Sequence, residues 1–243
     1  DRMKAGEIIE LSTGLNDGSP YFLGDNIQQQ LPAYLRQHDF DRSFLVTSQK
    51  LWGMFGSAVL ATLKAANIRC EPILIPESEG NKSWETLQDL CERLVAAGAT
   101  KDSLLLALGG GVIGNIVGLS AALLYRGVRF VEMPTTIMSQ TDGTLSNKQA
   151  INGAAGKNQF GVYHAPLFIW SDCQYSRSEP LRQRRGGVVE GIKNVLVSQP
   201  DISAAEAMLE MTDDADRLAA LVLMLVRSKL SIIQRDPRDP GYA

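Results

Sequence analysis

The sequence is poor in the residues that build disulfide frameworks, structural zinc sites and membrane spans. Its three cysteines, Cys70, Cys91 and Cys173, lie far apart and form no C-x-x-C pair, so we expect neither a disulfide framework nor a structural zinc site. Free thiols in a reducing cytoplasm are the simpler interpretation. The longest apolar runs, such as residues 218–226, are too short to cross a bilayer. The sequence therefore predicts a cytoplasmic protein with no membrane partner.

No charge of one sign dominates either. The 24 lysines and arginines stand against 27 acidic residues, for a formal net charge of -3. Nucleic-acid-binding domains concentrate basic residues on one surface, so we expect no nucleic-acid partner. The 243 residues suffice for one large domain or two smaller ones with a substantial core.

Strand and helix signals alternate through the first half of the chain. Continuous apolar runs predict buried strands, and the segments between them predict helices, one of them with Ser83 as its N-cap. The predicted strands are 43–47, 69–75, 104–108, 129–133 and 167–170, and the predicted helices are 51–66, 83–97 and 116–124. Such alternation is typical of βαβ units with a parallel sheet. Helices predicted over 182–197, 202–211 and 215–234 then place a boundary near residue 175, between an α/β domain (1–175) and the start of a helical domain (176–243).

A glycine-rich turn follows the predicted strand 104–108. Residues 109–114, Gly-Gly-Gly-Val-Ile-Gly, fit the pattern G-x-G-x-x-G between a strand and a helix, which is the context of dinucleotide-binding turns. Glycines permit close approach of the backbone to a ligand, and the helix N-terminus offers N–H groups to a pyrophosphate. A tight turn without a ligand fits the same spacing.

The segment from residue 135 to 166 is polar and shows little periodicity. Cations and amides at this density suit an anionic, hydroxyl-rich ligand such as a sugar phosphate, and the segment follows the carboxyl end of a strand, where α/β proteins bind ligands. A solvated loop is the alternative.

Farther along, Glu190 and Lys193 share one helical face; a surface ion pair is the expected arrangement from spacing alone.

Taken in order, these motifs resemble the NAD-dependent sugar phosphate cyclases, the family of 3-dehydroquinate synthase. The shared elements are residues 109–115, Tyr-Arg-Gly-Val (125–128), Pro-Thr-Thr (134–136), Asp142, Lys148, Asn152, Gly-Lys-Asn (156–158) and Glu-x-x-Lys (190–193). The similarity runs from about residue 20 to 240. Within the family, Ser146, Gln149 and Lys193-Asn194 resemble the 2-deoxy-scyllo-inosose synthase branch, whereas dehydroquinate synthases carry Gly-Gly-Lys-Thr around the lysine at position 148.

The resemblance implies a role for each matched position. It implies catalytic roles for Lys148, Asp142 and Lys193. It implies NAD binding by Glu79, Lys82, Gly110, Gly111, Val112, Ile113, Gly114, Asn115, Thr135, Thr136, Asp142, Lys148, Lys157 and Ser178. It implies substrate binding by Arg126, Lys148, Lys157, Asn158, Lys193, Asn194 and Lys229. Ser48 stands where relatives often have an aspartate for the ribose hydroxyls.

The resemblance also implies a divalent metal, zinc or cobalt, with Glu190 as its carboxylate ligand, and a homodimer that acts on a small sugar phosphate. The family's other two metal ligands are histidines in a Gly-His-x-x-Gly-His stretch. This sequence contains only His38 and His164, and neither matches. We therefore expect the 243 residues to be part of a longer protein, and by themselves to bind NAD poorly and release no phosphate.

The sequence leaves open three alternatives to the interpretation as a 2-deoxy-scyllo-inosose synthase. The first is 3-dehydroquinate synthase or another cyclase of the family. The second is a metal-dependent polyol or alcohol dehydrogenase, which would produce net NADH without needing a phosphate. The third is a non-catalytic homologue, which would lack the metal-binding histidines altogether.

Overall fold

The computed structural model describes residues 4–13, 18–198 and 202–235. The chain divides into two compact units, one made of residues 1–27, 134–146 and 171–243 and the other of residues 28–133 and 147–170. Each unit is assembled from segments that are not adjacent in sequence, and the boundary near residue 175 stays a prediction. Residues 236–243 lie outside the described residues.

The described residues form strands and helices along the whole of their length. The strands are β1 (Ile8–Ser12), β2 (Pro20–Gly24), β3 (Ser43–Thr47), β4 (Cys70–Leu74), β5 (Leu104–Gly109), β6 (Arg129–Pro134), β7 (Lys148–Gly153), β8 (Gly156–Tyr163) and β9 (Ile169–Asp172). The helices are α1 (Leu31–Leu35), α2 (Gln49–Leu51), α3 (Ser57–Ala65), α4 (Trp84–Ala96), α5 (Gly111–Leu123), α6 (Ile137–Thr141), α7 (Cys173–Ser176), α8 (Leu181–Ser198), α9 (Ile202–Met211) and α10 (Leu218–Ile233). None of these helices combines the length and apolar composition that crossing a bilayer requires.

The second unit, residues 28–133 and 147–170, contains the predicted α/β sheet. Its strand order is β9-β6-β5-β3-β4, and β3 pairs in parallel with both β4 and β5, as β6 does with β9. Every residue of β3 and β5 is buried, as the continuous apolar runs predict for strands covered on both faces. The predicted α/β fold class is confirmed.

Two helices of this unit differ in detail from the prediction. Helix α5 begins at Gly111 rather than at Ile116, because Gly110 is its N-cap and the first helical turn forms inside the glycine motif. The predicted helix 51–66 contains a π-helical turn over Trp52–Gly56 between α2 and α3. Ser83 caps α4 as predicted, accepting a hydrogen bond from the amide of Thr86.

The polar segment 135–166 is more regular than its sequence suggests. It forms the short helix α6, in the first unit, and the antiparallel hairpin β7–β8, in the second unit, whose register runs from Lys148 opposite Tyr163 to Gly153 opposite Gly156. Every residue of β8 is exposed. A strand without a buried face has no apolar alternation, so periodicity could not reveal it.

The first unit, residues 1–27, 134–146 and 171–243, combines a hairpin with helices. Strands β1 and β2 pair antiparallel from Ile8 opposite Gly24 to Ser12 opposite Pro20, a hairpin that the sequence analysis did not predict. Helices α8, α9 and α10 match the three predicted helices. Helix α8 approaches its neighbours through glycines, because a Cβ at Gly191 would lie 2.6 Å from a methyl group of Leu225 on α10.

Candidate functional site

The N-terminus of α5 is open to a ligand. Its N-cap, Gly110, has no side chain with which to satisfy the first amides of the helix, and these N–H groups have no intrahelical partner. Gly111 is exposed, and a Cβ at this position would meet no atom within 4 Å. Amide donors and the positive end of the helix dipole therefore face open space, which is the arrangement that binds a phosphate.

The other residues of the glycine motif support this turn from beneath. Ile113 is fully buried, so it can offer a ligand only its backbone groups, and the partly buried Val112 packs against the same core. A Cβ at Gly109 would lie only 2.6 Å from the Ile113 side chain, and glycine avoids this close contact. The side-chain oxygen of Asn115 accepts the amide N–H of Ala150 at 3.2 Å and thereby joins α5 to strand β7.

Four of the predicted ligand-binding residues meet at the tip of the β7–β8 hairpin. With Asn152 they form what we call the lysine cluster: Glu79, Lys82, Asn152, Lys157 and Asn158. The Glu79 carboxylate accepts a hydrogen bond from Asn152 at 3.0 Å and pairs with the Lys157 ammonium at 3.4 Å. Lys82 donates to the side-chain oxygen of Asn158. The amide of Asn152 donates to the Lys82 carbonyl at 2.8 Å, so the turn after β4 is bound to the hairpin.

Electrostatics in the lysine cluster favour an anion. Burial lowers the pKa of Lys82, and the charge of Lys157 lowers it further, against the opposing effect of Glu79. Burial acts to raise the pKa of Glu79, but the Asn152 hydrogen bond and the two lysines outweigh it and the pKa is lowered. Two ammonium groups thus share one carboxylate, and the side chain of Lys157 is 72% exposed. The excess positive charge lies where a ligand can reach it.

A carboxylate that the sequence analysis missed stands beside Ser48. The Ser48 hydroxyl donates to Glu77 at 2.6 Å while accepting the amide N–H of Leu51 at 3.1 Å. Glu77 comes three residues after the end of β4. An acidic residue just past the carboxyl end of a parallel strand is the signal that could have identified it.

In the first unit the predicted residues form separate pairs. Asp142 and Lys229 make an ion pair at 2.8 Å, with side-chain exposures of 29% and 12%. Thr135 is buried, and Thr136 caps α6 by accepting the amide N–H of Ser139 at 3.2 Å. Ser178 donates to the carbonyl of Tyr175 at 2.8 Å. The hydroxyls of Thr136 and Ser178 make local hydrogen bonds, so a ligand would have to share them.

Glu190 and Lys193 form an ion pair on α8, as their spacing predicts. Asn194, the next residue, is buried, and its Nδ2 atom has no hydrogen-bond partner. Two further candidates lie in the second unit. Arg126 is exposed with a left-handed φ of 70°, and Lys148 is half-buried at the base of the hairpin, opposite Tyr163.

The residues described here do not complete a metal site around Glu190. Within residues 4–13, 18–198 and 202–235, no three histidine, cysteine or acidic side chains lie together as metal ligands would. His38 stacks on Phe168, while His164 stacks on Phe130 and its Nε2 lies 3.3 Å from the Val128 carbonyl. Both imidazoles therefore serve packing and not metal binding.

Known proteins of one family match this chain in sequence. Residues 72–185 match the family model described as 3-dehydroquinate synthase N-terminal. The 3-dehydroquinate synthase of Zymomonas mobilis is 34% identical over 223 residues, covering 89% of this chain and 58% of the relative. The 2-deoxy-scyllo-inosose synthase of Streptomyces kanamyceticus is 36% identical over 183 residues, covering 75% and 47%. The chain thus spans about half to three-fifths of the length of these curated relatives.

The fold agrees with the sequence matches. A crystal structure of 2-deoxy-scyllo-inosose synthase complexed with carbaglucose-6-phosphate, NAD+ and Co2+ superposes with a TM-score of 0.86, at 24% identity, over 96% of this chain and 64% of that one. At this identity the superposition establishes the fold alone, while the sequence matches establish the family. The chain belongs to the 3-dehydroquinate synthase family of sugar phosphate cyclases.

Proposed function

We propose that this protein is an NAD-dependent sugar phosphate cyclase that closes a carbocycle with elimination of phosphate. The observation that carries the proposal is the joining of two anion-binding features by one hairpin. Strand β7 is bound to the open helix N-terminus through Asn115 and Ala150, and the tip of the same hairpin contributes three residues to the lysine cluster. A dinucleotide and a sugar phosphate both need such donors.

Each feature has a definite task in this proposal. The N-terminal amides of α5 hold the pyrophosphate of NAD. Glu77 accepts hydrogen bonds from the ribose hydroxyls, and the lysine cluster binds the remaining anionic groups. When bound, NAD would serve as the acceptor of a hydride from the ring carbon that bears a hydroxyl group, the hydroxyl proton being released; the ketone so formed would acidify the neighbouring C–H, so that phosphate could leave by β-elimination. Lys148 and Lys157 would then neutralise charge on the substrate oxygens as it develops.

For the substrate we propose glucose 6-phosphate, as for 2-deoxy-scyllo-inosose synthase. Support comes from Ser146, Gln149 and Asn194, which match that branch, and from the Streptomyces kanamyceticus relative. The seven-carbon keto acid phosphate of 3-dehydroquinate synthase is the second candidate, favoured by the Zymomonas mobilis relative. We also propose a cytoplasmic homodimer, from the family resemblance, with sedimentation analysis as the test of its subunit number.

Phosphate release with the two substrates tests the function and distinguishes the branches. We expect the complete gene product, supplied with NAD and Co2+ or Zn2+, to release inorganic phosphate from glucose 6-phosphate at least about tenfold faster than from the seven-carbon keto acid phosphate. The 243-residue chain is measured in parallel and is expected to release none. Faster release from the keto acid phosphate would assign dehydroquinate synthase activity instead. Net NADH formation from an alcohol without phosphate release would contradict the cyclase proposal.

Replacing Glu77 tests the ribose site. We expect Glu77→Gln to weaken NAD binding about tenfold, because a carboxylate that accepts from two ribose hydroxyls is replaced by a neutral amide of the same shape. It should also reduce discrimination against NADP, whose 2′-phosphate a carboxylate repels. Calorimetric titration with each dinucleotide measures both effects. Glu92→Gln, an exposed position on α4, is the matched control and should change neither affinity.

A further inference from the structure

A buried carboxyl group that the proposed chemistry does not use lies beneath the hairpin. Glu132 on β6 is only 3% exposed, and its Oε1 atom accepts a hydrogen bond from the side-chain amide of Gln149 at 3.3 Å. Gln149, on β7, is 2% exposed and donates also to the carbonyl of His164 at 3.3 Å. A Cβ at Gly118 would lie 2.8 Å from the Gln149 Cγ atom, so helix α5 leaves room for this side chain only because it carries glycine there.

Two buried oxygen atoms in this pair have no hydrogen-bond partner. They are Oε2 of Glu132 and Oε1 of Gln149. An ionised carboxylate has no proton to offer, so with a charged Glu132 both atoms would remain buried acceptors without a donor. A single proton on Oε2 changes this, because the carboxylic acid can donate to the Gln149 oxygen while it accepts from the Gln149 nitrogen. An acid and a primary amide then form a ring of two hydrogen bonds.

The surroundings favour the protonated acid. Burial raises the pKa of Glu132 to about 8, against a smaller opposing effect of the Gln149 hydrogen bond. Helix α5 and strand β5 contain no titratable side chain. Besides Glu132 itself, the titratable side chains of strands β6, β7 and β9 are Arg129, Lys148 and Asp172, and His164 follows the end of β8.

Three of those four side chains make other interactions, and the fourth lies on another face. Arg129 donates to the Asp102 carbonyl, the His164 ring stacks on Phe130, and Asp172 accepts the amides of Asn26 and Ile27. Lys148 precedes Gln149 in β7, so its side chain leaves the opposite face of the strand.

We propose that Glu132 is a neutral carboxylic acid, paired with the Gln149 carboxamide through two hydrogen bonds, that positions strand β7 and with it Lys148. This inference rests on the proposed function, since it concerns the lysine of that site. Gln149 ties the base of the hairpin to the His164 carbonyl, and Asn115 ties the next residue of β7 to α5. Glu132 adds a further contact to this strand, through the side chain of Gln149.

The proposal has a defined pH dependence. The unfolded carboxyl loses its proton near its ordinary pKa of 4.5, whereas the folded one keeps it to about pH 8. Between these values the folded state binds more protons than the unfolded state, so stability falls as pH rises through this window and levels off above it. Glu132→Gln keeps both hydrogen bonds, as an amide–amide pair, and has no proton to lose.

Thermal unfolding and infrared spectroscopy test the protonated pair in the purified protein. Between pH 6 and pH 9 we expect the Tm of the natural sequence to fall by about 5 °C or more relative to that of Glu132→Gln. The infrared spectrum at pH 6 should contain a protonated carboxyl band that is absent from the variant. Glu92→Gln is the control, because Glu92 also accepts from a glutamine side chain, Gln88, but on the exposed surface of α4; it should follow the natural sequence. A flat Tm difference, or no carboxyl band, would overturn the proposal.

Hydrogen exchange and NAD titration test the positioning role. Glu132→Leu should accelerate amide exchange in residues 148–163 and weaken NAD binding, and Glu132→Gln should restore both. From pH 6 to pH 9 the natural sequence should lose about tenfold more NAD affinity than Glu132→Gln. Unchanged exchange in Glu132→Leu would overturn the positioning role; if that variant does not fold, an equal pH profile of the natural sequence and Glu132→Gln would do so. Absence of NAD binding at every pH, with the exchange and infrared results as expected, would contradict the proposed function and leave the acid–amide pair standing.

Discussion

Gly187→Ala is expected to lower the free energy of unfolding by about 2 kcal/mol, whereas Gly186→Ala, one residue earlier, raises it by about 0.5–1 kcal/mol. Both glycines lie inside α8, where alanine is intrinsically the better helix former. A Cβ at Gly187 would lie 2.7 Å from the backbone nitrogen of Met138 and 3.0 Å from the Ile137 side chain. Because Met138 is contacted through its backbone, α6 and α8 would have to move apart.

The neighbouring glycine is the control for this prediction. A Cβ at Gly186 would meet no atom within 4 Å, so only the gain in helix propensity remains. Denaturant unfolding of both variants measures the difference. Equal stability of the two variants would mean that α6 and α8 separate at little cost, and that the close approach at Gly187 does not hold these helices together.

Gly111→Ala is expected to weaken NAD binding at least about tenfold without loss of stability. The fold has room for the methyl group, since a Cβ at Gly111 would meet no protein atom within 4 Å, and alanine suits the first turn of a helix. That same space is where the proposed pyrophosphate approaches the amides of α5. The methyl group would therefore push the ligand away from its hydrogen-bond donors.

Calorimetric titration with NAD and thermal unfolding, measured on the same samples, separate the two effects. Gly186→Ala, which also fills empty space on a helix, should leave NAD affinity unchanged. If Gly111→Ala bound NAD as tightly as the natural sequence, the glycine turn would be a structural turn without a ligand. The proposed function would then lose one of its two anion-binding features.

Much of the α/β unit was predictable because local sequence and burial agree there. The apolar runs that became β3 and β5 are covered on both faces, and Ser83 caps α4 as its hydroxyl and position indicate. In such segments each residue's preference coincides with its final environment, so the pattern is visible without the rest of the chain. The ion pair of Glu190 and Lys193 was predictable for a similar reason, since helical spacing alone brings them together.

The candidate site was predictable only in part. The family motifs identified Glu79, Lys82, Lys157 and Asn158, but their spacing did not show that they share one cluster. The strand β8, which brings two of them to the turn after β4, is wholly exposed and has no apolar alternation to reveal it. Glu77 was missed although it lies just past the carboxyl end of β4, because the sequence does not show its contact with the hydroxyl of Ser48, which is distant along the chain.

The sequence by itself therefore determined the α/β class, the positions of most helices and buried strands, the glycine turn and the membership of the family. These properties depend on short-range periodicity and on residue types in a fixed order. Only the tertiary structure decided that Glu77 accompanies Ser48, that the lysine cluster forms, and that Glu132 and Gln149 meet beneath α5 with two oxygens lacking donors. Each of those contacts joins segments far apart in the chain, and the burial that sets the pKa of Glu132 comes from strands and helices that no local pattern places around it.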